Sequence, residues 1–91
     1  MLKYTRNHLK KIENFLSDQG YKIIYDNGQF RSGYCIVNNS NTVVINKFFT
    51  IEGRINALYE IIPQLELQEG LFNDNATSVL ENIPQFKLTD Q

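Results

Sequence analysis

Three short runs rich in β-branched and aromatic residues follow one another between residues 21 and 47. They are Tyr21-Lys22-Ile23-Ile24-Tyr25, a segment over about residues 29–37, and Thr42-Val43-Val44-Ile45-Asn46-Lys47. Residues of these types suit a pleated, half-buried strand. Asp26-Asn27-Gly28 parts the first two runs, and Asn-Gly is the strongest short hairpin signal because both residues tolerate positive φ. Asn38-Asn39-Ser40-Asn41 parts the second and third. Three strands joined by two short turns predict an antiparallel meander.

Alternation along these runs limits how the sheet can be packed. Tyr21, Ile23 and Tyr25 share one side of the first strand. In the second, Phe30, Tyr34 and Ile36 share a side, and Arg31, Gly33, Cys35 and Val37 share the other. In the third, Val43, Ile45 and Lys47 oppose Thr42, Val44 and Asn46. A sheet with one wet face should be mostly polar on that face. Here each face of the second strand keeps apolar residues, so the pattern predicts a covered back.

The flanking segments read as helices. Over about residues 3–19, Leu9, Ile12, Phe15 and Leu16 recur at spacings of three and four, with Lys3, Arg6, Lys10 and Asn14 opposite. Gly20 is the stop. After the sheet, Thr50 is an expected N-cap, with Glu52 in the first turn. Ile51, Ile55, Leu58, Ile62 and Leu65 then line one side of a helix over about residues 51–65. Pro63 is expected to kink or fray its last turn. A short third helix is expected near residues 74–82, with Ala76, Val79, Leu80 and Ile83 inward, and residues 85–91 as a loose tail.

With 91 residues, 42% of them apolar and 21% charged, the chain suffices for one globular domain over residues 1–91 and is too short for two cores. The expected class is α+β: a three-stranded antiparallel sheet with two helices on one face, in the order α-β-β-β-α, plus a short C-terminal helix. The cover for the back is expected to be that last helix or a second copy of the chain. A homodimer is the favoured alternative, because a small core gains from self-association.

Residue counts exclude several chemistries. One cysteine, Cys35, permits no internal disulfide, and with the single histidine, His8, it cannot supply the usual zinc sets. No metal and no cofactor are expected. The first eleven residues hold no apolar stretch of signal-peptide length, and no run approaches the roughly 20 apolar residues of a membrane helix. The expectation is a soluble cytoplasmic protein with a reduced thiol and no membrane partner. Residues 1–47 carry seven Lys/Arg against three acids, a balance of +4, and residues 48–91 carry two against seven, a balance of −5. Such opposed halves read as a basic and an acidic solvated face.

Few motifs carry chemistry. Cys35 is a possible nucleophile, but a cysteine in an apolar strand reads more readily as a small core residue. His8 reads as a surface histidine whose basic neighbours Arg6, Lys10 and Lys11 lower its pKa. Glu66 and Glu69 read as an exposed acidic loop. Asn46-Lys47-Phe48-Phe49 leads into the second helix, where backbone N–H groups with Lys47 and Arg54 suit an anion; the plainer reading is a junction whose Phe pair fills the core. The candidate binding residues are Arg31, Tyr34, Cys35, Asn46 and Lys47, where burial least explains the residue type.

The element order resembles the double-stranded-RNA-binding fold. That family reads phosphates with a lysine-rich start to its second helix. Here the segment is Thr50-Ile51-Glu52-Gly53-Arg54-Ile55-Asn56-Ala57, so the lysines are missing and nucleic acid is not the expected partner. The order also resembles the core of zinc-peptidase folds, but Asn56-Ala57-Leu58-Tyr59-Glu60-Ile61 holds no histidine, so no metal role carries over. Gly33-Tyr34-Cys35, with Val43-Val44-Ile45-Asn46 and Arg54-Ile55-x-x-Leu58, resembles a small family of bacterial proteins without assigned activity, over about residues 3–83. That resemblance implies a fold and a bacterial cytosolic setting and no catalytic residues. The expected function is a non-catalytic interaction module that associates with itself or with another protein. The alternatives are weak nucleic-acid binding through Lys3, Arg6, Lys10 and Lys11, and thiol chemistry at Cys35.

Overall fold

The computed structural model describes residues 4–27 and 34–83. The first helix, α1, is Arg6–Asp18. It begins at Arg6, inside the expected span of about 3–19, because the Thr5 side chain accepts the His8 N–H at 3.0 Å and caps it. Leu9, Ile12, Phe15 and Leu16 are all buried, as their spacing predicts. At the other end the Tyr21 N–H donates to the Leu16 carbonyl at 2.9 Å, and the Gly20 N–H to Ser17 at 3.0 Å. This closure needs a left-handed residue, and Gly20 supplies it with φ 87°.

Strands β1 (Lys22–Asp26), β2 (Tyr34–Val37) and β3 (Thr42–Asn46) form one sheet in the order β1-β3-β2. β3 runs parallel to β1 and antiparallel to β2. The sheet is therefore mixed, and the expected meander is corrected. β1 and β2, expected to pair across Asn27-Gly28, lie on opposite edges and do not pair; Gly28 lies outside the described residues. The physical reason lies in β3. Its Val43 and Ile45 are fully buried, and the strand with the most buried side chains takes the position paired on both sides. The topological likeness to the RNA-binding fold, which depended on the meander, falls with it. The second turn signal is correct: one 3₁₀ turn over Asn38–Ser40 and Asn41 at φ 50° join β2 to β3. Of the second strand expected over residues 29–37, residues 29–33 lie outside the described residues, as does the tail over 85–91.

Helix α2 is Ile51–Ile61, capped by the Thr50 side chain, which accepts the Gly53 N–H at 3.1 Å. A side chain at position 53 would bring a Cβ to 3.3 Å from Phe49 Cβ, which accounts for a glycine in this first turn. Pro63 ends the α-helix early, and the chain tightens into a 3₁₀ turn over Ile62–Gln64. Helix α3 is Asp74–Leu80, two residues shorter than expected, with the Asn73 side chain capping Ala76 at 2.9 Å. Buried Gln19 ties the intervening loop to α1 by two bonds, to the Gln68 carbonyl at 3.1 Å and from the Gln68 N–H at 2.6 Å.

All three helices join one apolar cluster with Val43 and Ile45 of β3, and Tyr21, Ile23, Tyr25, Tyr34 and Ile36 pack against it. The third helix therefore lies on the same side of the sheet as the other two, and it does not cover the back. Among the described residues, no helix is long and apolar enough to cross a membrane.

Candidate functional site

The sheet face away from the helices is the largest departure from a closed core. Alternation sends Lys22, Ile24 and Asp26 of β1 to this face, together with Thr42, Val44 and Asn46 of β3 and Cys35 and Val37 of β2. The register aligns them in rows: Lys22–Thr42–Val37, then Ile24–Val44–Cys35, then Asp26–Asn46. The middle row is apolar across all three strands. Ile24 and Val37 each keep 40% of their surface exposed, and Cys35 is exposed as well. The back is bare of described helices, as the fold dictates, yet apolar along its centre. The aromatic residues of the sheet (Tyr21, Tyr25, Tyr34) lie on the helix side instead.

The candidate residues divide between the two faces. Arg31 lies outside the described residues. Tyr34 packs on the helix side opposite Ile45, and its hydroxyl accepts from Gln64 Nε2 at 3.3 Å. Cys35 is on the open face, which corrects the expectation of a small core residue: strand alternation that turns Tyr34 and Ile36 toward the core must expose it. Asn46 shares that face, but its Oδ1 accepts the Phe48 N–H at 2.9 Å and shapes the turn out of β3. Lys47 is exposed in this turn, with Nζ 5.4 Å from the centroid of the Phe48 ring.

The strand-to-helix junction is built around Arg54. Its NH2 donates to the Lys47 carbonyl at 2.8 Å and its Nε to the Phe49 carbonyl at 3.2 Å. The guanidinium also lies 4.5 Å from the Tyr25 ring centroid. It is thus a structural clamp, and the anion reading of this junction is not favoured. Only half of the expected Phe pair fills the core: Phe49 packs against it, while Phe48 is 73% exposed. Behind the clamp the Tyr25 hydroxyl donates to Glu13 Oε2. Burial, and then the bond to Glu13, raises the Tyr25 pKa far above its ordinary value.

A polar cleft that the sequence did not disclose lies between α1 and α3. It measures about 370 Å³ and is lined by Thr5, Asn7, His8, Lys11, Ser78, Glu81 and Asn82. His8 Nε2 is 2.6 Å from the Tyr59 hydroxyl, which also accepts from Asn82 Nδ2 at 3.4 Å. His8 is therefore half-buried and paired, where a surface residue was expected. Burial lowers its pKa first, and Lys11 lowers it further. Burial raises the Tyr59 pKa. The only signal for this pairing is that His8 and Tyr59 border the apolar stripes of two helices that pack together, and sequence alone does not set their relative rotation.

His8 belongs to the helix layer and Cys35 to the opposite face, so the fold does not bring the thiol and the imidazole together as a nucleophile and base would require. Among the described residues, no group of three His, Cys, Asp or Glu is placed to hold a metal ion. Comparison of the chain with protein-family models, with curated proteins and with solved structures finds no match to any of them.

Proposed function

We propose that this chain is a non-catalytic interaction module that associates with a second copy of itself through its three-stranded sheet. The observation that carries this reading is the sheet face bare of described helices, with its apolar middle row, Ile24–Val44–Cys35, flanked by Val37. Scattered exposed apolar residues need no explanation, but a row that crosses every strand and ends at the sheet edge on Ile24 offers an apolar contact that a second copy joined at that edge buries. The small size of the domain adds to that gain. Catalysis is the weaker reading, because the exposed thiol stands apart from the one imidazole.

The test is light scattering coupled to size exclusion over a range of micromolar concentrations. The full chain should elute with the mass of a dimer, and Ile24→Lys should shift it to the mass of a monomer with its circular dichroism unchanged. A native chain that stays monomeric over the whole range would contradict the reading.

A further inference from the structure

The outer edge of β1 carries a register of its own. In the parallel pairing with β3, the Lys22 N–H donates to the Asn41 carbonyl at 2.9 Å, and the Lys47 N–H donates to the Asp26 carbonyl at 2.8 Å. Lys22, Ile24 and Asp26 therefore turn their backbone groups toward β3, and Ile23 and Tyr25 turn theirs outward along the edge. Among the described residues, no partner is found for the N–H of Ile23 or of Tyr25. Helix α1 does not seal this edge. An open groove of about 510 Å³ runs beside it, lined on the helix side by Lys10, Glu13, Asn14 and Ser17.

The side chains along β1 are complementary to their own reversal. Lys22, Ile24 and Asp26 are exposed on the open face, positive at one end, apolar in the middle and negative at the other. We propose that β1 pairs antiparallel with β1 of a second copy about a two-fold axis through Ile24, giving a continuous six-stranded sheet. In this register Lys22 stands opposite Asp26 of the second copy at both ends, and the two Ile24 side chains meet at the centre. The outward-facing residues then fall opposite each other as well. Ile23 exchanges both backbone hydrogen bonds with Tyr25 of the second copy, and the symmetric pair does the same. Moving the axis to Ile23 or Tyr25 still lets the backbone bond but leaves Lys22 or Asp26 opposite Ile24. Opposite charges placed directly across an antiparallel pair stabilise it and like charges destabilise it, so charge selects the register. The other edge strand, β2, is Tyr34-Cys35-Ile36-Val37 and holds no charge to select one. The two apolar middle rows become a single stripe in the dimer.

This inference rests on the self-association reading and specifies its geometry. The test uses the full chain in sedimentation velocity at low salt, with circular dichroism as a check on folding. Asp26→Lys and Lys22→Asp should each weaken the dimer about tenfold or more, and the double variant Lys22→Asp/Asp26→Lys should restore it. Val44→Lys, one strand in from the edge, should leave the dimer intact. An independent probe is Ile24→Cys in a Cys35→Ser background. Residues facing each other in a non-hydrogen-bonded antiparallel pair have Cα atoms about 4.5 Å apart, within disulfide reach, so mild oxidation should give a covalent dimer. A dimer that ignores both charge reversals, is not rescued by the double variant, or dissociates with Val44→Lys overturns the β1 register while self-association stands. A native chain that remains monomeric overturns both.

Discussion

The two faces of this sheet draw on the same kinds of residue and meet opposite fates. On the helix side Val43 and Ile45 are fully buried under α1, α2 and α3. On the other side Ile24 and Val37, of the same β-branched types, keep 40% of their surface in water. The difference lies in how many segments are at hand: among the described residues, three short helices cover one face of the sheet and none lies on the second. β-branched residues satisfy strand propensity on either face, so residue type does not reveal which face is the core. The open face keeps apolar surface that one copy leaves in water, and pairing at the β1 edge buries its Ile24 end against the second copy.

The largest expected effect separates the faces by stability. Ile45→Ala should cost about 2–5 kcal/mol in urea unfolding, because it removes buried methylenes and leaves a cavity. Val37→Thr, on the open face, should change stability by no more than about 0.5 kcal/mol. Equal losses at the two positions would mean that the open face is packed after all. Next comes the junction clamp. Arg54→Ala should cost about 1–2 kcal/mol through two lost carbonyl contacts and the lost stacking on Tyr25, and Arg54→Lys should not recover it, since an ammonium cannot span both carbonyls.

Titration gives smaller effects, both on the helix side. Burial raises the Tyr25 pKa above its unfolded value of 10.0, so its contribution is complete below about pH 10 and is lost as pH rises beyond it. Thermal melts of Tyr25→Phe should lack that alkaline decline. The His8 pKa is lowered from 6.5, so its contribution is present above that pH and is lost as pH falls through the lower folded value. His8→Gln should flatten the decline in stability between pH 7 and 5. The smallest effect is kinetic. Cys35 should react with a maleimide in the native protein, without denaturation, and at a rate that does not change with protein concentration, because β2 lies far from the β1 edge. Labelling that slows on concentration would point to face-to-face packing.

Much of the helix layer was legible in the sequence, because helix signals are local. The Leu9–Ile12–Phe15–Leu16 stripe, the caps at Thr50 and Gly20 and the break at Pro63 each depend on residues within one or two turns. Strand order was not legible. Asn27-Gly28 is a sound local hairpin signal, but the sheet is decided by which strand can take the doubly paired central place, and β3 competes for β1 from outside any local window. The site suffered in the same way. Whether Cys35 or Tyr34 faces the core depends on which side the helices occupy, and alternation leaves that choice open. Even so, the apolar character of both strand faces was visible from the residues alone, and the exposed Ile24 of that pattern, set between Lys22 and Asp26, is where the proposed association rests.

The most direct measurement of that association is amide hydrogen exchange along β1, read residue by residue by NMR at rising protein concentration. The Lys22, Ile24 and Asp26 amides, already bonded to β3, should stay protected throughout. Those of Ile23 and Tyr25 should exchange quickly in dilute protein and become protected as the concentration rises. Exchange at Ile23 and Tyr25 that is the same at every concentration would contradict the account.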